Sequence, residues 1–271
     1  MCQLLGLNCN SPTDVSFSFT GFAQRSGITD NHSDGWGIAF FDGTDEDRGL
    51  RYFLDHLPAC QSPLADLVRN YPIKSRHVIS HIRKATRGSV ALENTHPFVR
   101  ELWGRYWVFA HNGTLENFRP HLDGSFQPVG DTDSEQAFCW ILQEMDKSHA
   151  RMPTLDELSI TLKALADQAA RHGTFNFLLS NGQALWAHAS TDLWFLERKH
   201  PFSHATLSDQ NLSIDFSHFA KPDDQVAVVV TSPLTTNECW TRFEPSELRL
   251  FLDGISRRIV SPELSEMHIK G

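Results

Sequence analysis

A layered α+β fold is what this sequence predicts, and two observations carry the expectation. Short runs rich in β-branched and aromatic residues, bounded by Gly, Asp or Asn, recur at residues 2–9, 35–41, 77–83, 105–111, 175–180, 184–189 and 226–231, and read as strands. Between the early and the late runs lie two longer stretches of helical periodicity. Leu4-Leu5-Gly6-Leu7, Trp36-Gly37-Ile38-Ala39-Phe40-Phe41 and Val226-Ala227-Val228-Val229-Val230 are nearly continuous apolar runs. Such runs suit strands covered on both faces, so layers are expected above and below them.

The helices follow in order. Ser62-Pro63 offers an N-cap with proline at the first helical position, ahead of Leu64, Leu67 and Val68. A second helix is expected over Ser134 to Lys147, with Ala137, Phe138, Ile141, Leu142 and Met145 on one face and Asp131 and Asp133 suited to its start. Thr154 and Glu157 make a capping box for a third, in which Leu155, Leu158, Leu162, Leu165 and Ala169 recur at intervals of three and four. Gly173 is its expected stop. Strand order does not follow from any of this.

The chain has 271 residues, 40% of them hydrophobic and 21% charged, with no composition break, repeat or low-complexity tract, so one domain over residues 1–271 is expected. A net charge of −9 argues against a nucleic-acid or anionic-membrane surface, which would need clustered Lys and Arg. The apolar opening is short and lacks a basic flank, and no apolar stretch approaches bilayer-spanning length; a cytoplasmic protein is expected. Cysteines 2, 9, 60, 139 and 239 form no CxxC pair and are odd in number, which suggests neither a zinc site nor a disulfide framework. The fourteen histidines include no closely spaced ligand set.

Cys2 follows Met1 directly, and removal of Met1 would make it the amino-terminal residue. Nucleophile and base would then share one residue. A free α-amine has a pKa of about 7.7 to 8.0 and can take the thiol proton, then return it to a leaving group. The plainer reading is an ordinary residue before a first strand, and position 2 alone favours it.

Four further segments place chemistry at predicted strand ends. In Asp34-Gly35-Trp36-Gly37 the glycines permit close backbone approach or simply a turn, and Trp36 is either a pocket wall or, more in keeping with its apolar area, core. In His81-Ile82-Arg83-Lys84-Ala85-Thr86-Arg87-Gly88, the Arg83 guanidinium fork suits a carboxylate and Thr86 adds a hydroxyl, although a basic strand end is more often a solvated surface. Asn112-Gly113, after Tyr106-Trp107-Val108-Phe109, reads either as a turn or as a pair of donors aimed at a developing oxyanion. Gly130-Asp131-Thr132-Asp133-Ser134-Glu135 reads as helix capping, with one carboxylate left over for an ammonium as the alternative.

Together these segments resemble the class II glutamine amidotransferase domain, an N-terminal-nucleophile hydrolase. Met-Cys, His-x-Arg-x-Ala-Thr, His-Asn-Gly and Thr-Asp-Ser-Glu occur in the family order across residues 1–135. Phe17 to Gly21, Glu93 to Phe98 and Ser134 to Trp140 are similar to the stand-alone bacterial YafJ-type members, and the likeness continues through Thr231 to Arg249-Leu250-Phe251.

The resemblance implies a four-layer αββα sandwich and hydrolysis of a glutamine or γ-glutamyl amide through a Cys2 thioester. It assigns Asn112 and Gly113 to the oxyanion, Arg83 with Thr86 to the substrate α-carboxylate, and Asp133 to its α-ammonium. It implies no metal or organic cofactor. Lys84 and Arg87 depart from the Trp and His common in the class, which leaves room for a larger γ-glutamyl substrate. Competing readings are a glutaminase subunit feeding ammonia to a separate synthase, and a non-catalytic sensor of a γ-glutamyl metabolite.

Overall fold

The computed structural model describes residues 2–42, 49–85 and 88–260. In chain order its main elements begin with β1 (Gln3–Asp14), α1 (Ser16–Gln24), β2 (Trp36–Asp42), β3 (Gly49–Asp55), α2 (Pro63–Asn70) and β4 (Lys74–Ile82). Next come β5 (Phe98–Leu102), β6 (Arg105–Leu115), α3 (Asp133–Ser148), α4 (Leu155–Ala170), β7 (Gly173–Ser180) and β8 (Leu185–Ala189). The chain continues with β9 (Trp194–Lys199), β10 (His204–Thr206), β11 (Ser213–Asp215), β12 (Gln225–Val230), β13 (Thr241–Arg242), β14 (Glu247–Leu252) and β15 (Ile255–Ile259).

Two antiparallel sheets stack face to face. The first runs β13-β9-β12-β1-β4-β2-β3, the second β15-β14-β8-β7-β6-β5, and β10 and β11 form a separate ribbon. Side-chain alternation sorts each central strand between two cores. From β1, Leu5, Leu7 and Cys9 pack with Phe19, Phe22, Ala65 and Val68 of α1 and α2, whereas Leu4 enters the layer between the sheets with Val108, Ala110, Leu178 and Val229. On the second sheet, Trp107, Phe109, Phe175 and Phe177 turn outward onto Phe138, Leu142, Leu158 and Leu162 of α3 and α4. The result is an αββα sandwich, with strands buried on both faces as their apolar runs required.

The caps are in place. Thr154 and Glu157 complete the capping box, and Ser62 Oγ accepts the Ala65 N–H ahead of Pro63; such caps contribute about 1 kcal/mol each. The start of α3 is as expected: Thr132 caps it, its hydroxyl accepting the Glu135 N–H, and Asp133 is the first helical residue. Two local expectations are corrected. Gly173 does not stop α4, which ends at Ala170; it opens β7 at φ 146°, where a Cβ would lie 2.2 Å from Thr114 O. Asn112-Gly113 is no turn either, because β6 continues to Leu115 and pairs Asn112 with Asn176 and Gly113 with Phe175.

Candidate active site

Cys2 immediately precedes β1, and alternation puts it with Leu4 on the side facing the second sheet. Register pairs Gln3 with Ile82, which brings Cys2 opposite Arg83. Its Sγ lies 3.3 Å from the Lys84 N–H that it accepts and 3.4 Å from the Lys84 carbonyl to which it donates. Burial pushes the Cys2 thiol pKa up, with the Lys84 hydrogen bond opposing. A thiol held in its neutral form needs a base at hand before it can attack.

Residues 83–85 are fixed around that sulfur by the two residues that precede β2. Arg83 N–H donates to Gly35 O at 2.8 Å, Asp34 N–H to Arg83 O at 3.3 Å, and Ala85 N–H to Asp34 Oδ2 at 2.7 Å. The Arg83 side chain is buried and donates to Ser89 O at 2.8 Å and Gly88 O at 3.4 Å. Thr86, together with Arg87, lies outside the described residues.

Asn112 enters the layer between the sheets from β6, two residues beyond Ala110. Its Nδ2 donates to Thr231 Oγ1 at 3.3 Å, and the same hydroxyl accepts the Leu4 N–H at 3.0 Å. Leu4 O in turn accepts the Thr231 N–H at 3.2 Å. One threonine thus connects the carboxamide to the strand that begins just after Cys2. Beside it, Gly113 has no room for a side chain, since a Cβ there would lie 1.8 Å from Thr174 O.

The neighbouring residues point the other way and hold β6 to α3. His111 Nε2 donates to Thr174 O at 3.0 Å, so Nδ1 accepts from Ser134 Oγ at 2.8 Å. Burial lowers the His111 pKa and the nearby Asp133 carboxylate opposes that shift. Asp133 Oδ2 accepts the Leu115 N–H at 2.6 Å and Oδ1 the Ser134 N–H at 2.9 Å. Asp133 therefore sits on the same strand-to-helix junction as Gly113, with both oxygens already engaged by backbone.

Trp36 is not brought to this cluster. It is 1% exposed, faces α1 and packs against Phe19 with ring centroids 5.6 Å apart. Two contributors were not singled out from sequence, Thr231 and the Lys84 backbone, because an ordinary strand-end threonine and a peptide group carry no local signal. Among the described residues no group of three or more His, Cys, Asp or Glu side chains is disposed to hold a metal, and no helix is long and apolar enough to cross a membrane.

The arrangement can be set beside known proteins. Residues 1–270 match the family profile described as class II glutamine amidotransferases. The chain belongs to that family. As a class II amidotransferase it is 50% identical over 255 residues to Escherichia coli K12 YafJ, whose glutamine amidotransferase designation is itself provisional; the match covers 94% of this chain and 98% of YafJ. A Pseudomonas aeruginosa crystal structure described as a predicted glutamine amidotransferase superposes with a TM-score of 0.75 at 41% identity, covering 94% of this chain and 99% of that one. The glutamine phosphoribosylpyrophosphate amidotransferase of Bacillus subtilis shares the fold alone, at 17% identity and a TM-score of 0.56, over 96% of this chain and 49% of that longer one. The αββα sandwich of this amidotransferase is thus the N-terminal-nucleophile hydrolase fold.

Proposed function

We propose that this class II amidotransferase hydrolyses the side-chain amide of glutamine, or of a related γ-glutamyl compound, through Cys2. The observation that carries the reading is the hydrogen-bonded path from Asn112 through Thr231 to Leu4, which holds a carboxamide donor on the face where the thiol lies. Burial that keeps the thiol protonated fits a mechanism whose base is the adjacent α-amine, freed by loss of Met1.

In this mechanism the amine takes the thiol proton as Sγ bonds to the amide carbon, and the carbonyl π pair moves onto oxygen. Asn112 Nδ2 and the Gly113 N–H stabilise that oxyanion, a service typically worth about 10²–10³ in rate per donor. The ammonium then protonates the amide nitrogen as the C–N bond breaks, releasing ammonia or an amine and leaving a thioester. Water adds to the thioester with the amine again as base, and the C–S bond breaks as the proton returns to sulfur. Arg83 and Thr86 bind the substrate α-carboxylate and Asp133 its α-ammonium, so that both charged ends orient the amide over the thiol.

Ammonia and glutamate release should be measured across glutamine and larger γ-glutamyl amides, with protein shown by mass to begin at Cys2 and Cys2→Ala as control. Turnover that depends on Cys2 is expected. Equal release by Cys2→Ala would overturn the thioester, and Met1 retained on active protein would overturn the amine as base. A glutaminase that serves a separate synthase would instead show weak release that rises when that partner is added.

A further inference from the structure

Thr231 makes three hydrogen bonds at one point, and their donors and acceptors do not all close. Its backbone N–H donates to Leu4 O, and its hydroxyl accepts from both Leu4 N and Asn112 Nδ2. A hydroxyl has a hydrogen of its own to donate. Across from it, Asn112 is fully buried and its Oδ1 has no hydrogen-bond partner. A donor without an acceptor therefore touches a carboxamide whose acceptor has no donor, and buried polar groups are costly in that state.

Half a turn of the Asn112 amide about χ2 would satisfy both, in exchange for the Nδ2 bond to Thr231. The Thr231 hydroxyl then donates to Oδ1 while still accepting from Leu4, and both amide N–H groups are released from Thr231. The two amide orientations differ in what they offer a reacting carbonyl, since Nδ2 tied to a hydroxyl has one N–H left and Nδ2 freed from it has two.

We propose that Thr231 is a positioning residue for the oxyanion donor: its hydroxyl sets the orientation of the Asn112 carboxamide and ties that orientation to β1 through Leu4. The inference rests on the proposed reading of Asn112. It assigns Thr231 no contact with substrate. The geometry also explains why a residue 119 positions along the chain from Asn112 matters to it: β12 runs beside β1 in the first sheet, and only a side chain leaving the end of β12 toward the second sheet can meet both partners.

The test compares Thr231→Val, which keeps shape and loses the hydroxyl, with Thr231→Ser, which keeps the hydroxyl. Thr231→Val should lower kcat for the best amide substrate by tenfold or more with KM within about threefold, and Thr231→Ser should restore kcat to within a fewfold. Alkylation of Cys2 by iodoacetamide, which uses no oxyanion donor, should proceed alike in all three proteins. The doubly substituted Thr231→Val, Asn112→Ala protein should be no slower than Asn112→Ala alone. Unchanged kcat in Thr231→Val, or a loss matched by slower alkylation and not rescued by serine, would overturn the proposal.

An activity-independent measurement separates this inference from the reading it rests on. The Asn112 side-chain amide protons, identified by their loss in Asn112→Ala, should shift and exchange faster in Thr231→Val. If the unaltered protein turns over no amide and these signals still depend on the Thr231 hydroxyl, the hydrolase reading fails while the coupling stands. If the signals are indifferent to Thr231, the coupling fails whatever the activity.

Discussion

On the β1 and β4 side of the site the polar side chain meets loop backbone; on the β6 and α3 side, polar side chains meet strand backbone and a helix start. Arg83 donates to the carbonyls of Ser89 and Gly88, which the proposed substrate carboxylate would replace. Asn112, Gly113, His111 and Asp133 are instead held by Thr231, Thr174, Ser134 and Leu115, all of them in or beside a sheet or helix. On the proposed reading the difference separates two ways of holding a group: the donors for the oxyanion, and Asp133 for the substrate ammonium, are preorganised by strand and helix, whereas Arg83 would exchange loop carbonyls for the substrate carboxylate.

Four experiments would break or sharpen this contrast, beginning with the largest expected effect. Asn112→Ala should lower kcat by about 10²–10³, or ~2.7–4 kcal/mol, with KM little changed; steady-state kinetics decide it, and a loss confined to KM would move Asn112 from the oxyanion to substrate capture. Gly113→Ala should destabilise the fold by about 3 kcal/mol, the upper end for overpacking, because the added methyl meets backbone and not a flexible side chain. Chemical denaturation reads that directly, and a change under ~1 kcal/mol would mean that β6 and β7 yield where rigidity was inferred.

Arg83→Ala should raise KM by tenfold or more, since a charge-assisted carboxylate bond is worth about 1.5–3 kcal/mol, and glutamine analogues lacking the α-carboxylate should lose their disadvantage. A KM that ignores the substitution would take Arg83 out of carboxylate binding. The smallest effect concerns the dry backing of the β6 and α3 side. His188 Nδ1 donates to Phe175 O at 2.7 Å, and burial holds its pKa at about 4, below the ~6.5 of a free imidazole. Unfolding between those values takes up a proton, so its contribution is complete above about pH 6.5 and is lost as pH falls toward 4, at up to about 1.4 kcal/mol per pH unit. Against the wild-type decline, Tm of His188→Gln measured from pH 7 to 5 should fall less steeply; parallel curves would mean that His188 titrates alike in the folded and unfolded chain.

Elements governed by local signals were legible in the sequence. α4 announced itself through Thr154 and Glu157, and α2 through Ser62-Pro63. α1 did not, because its N-cap is Val15, which has no capping side chain of its own, and Ser16-Phe17-Ser18-Phe19 alternates as a strand would; Asp14 Oδ1, one residue further out, accepts the Ser16 N–H instead. Gly113 was misleading for a different reason: Asn-Gly is the commonest signature of a tight turn, whereas here glycine is demanded in mid-strand by a carbonyl from residue 174. The family motifs drew attention to Cys2, Arg83, Asn112 and Asp133, but nothing local could put Trp36 on the opposite face of the first sheet or Thr231 between Leu4 and Asn112. Those are consequences of register, which depends on pairings formed across the whole chain.

The pairing of Leu5 with Val230 places β1 in the middle of a seven-stranded sheet, and it bears on the order of events as the chain folds. β4 covers one edge of β1 from nearby in sequence, but the other edge waits for residues 225–230. Closing so long a loop is entropically slow, and an apolar strand left with one open edge is prone to wrong partners meanwhile. The strand that follows Cys2 is therefore begun by a near pairing and completed by a distant one, and the bonds of Thr231 to Leu4 and Asn112 can form only when that second pairing closes.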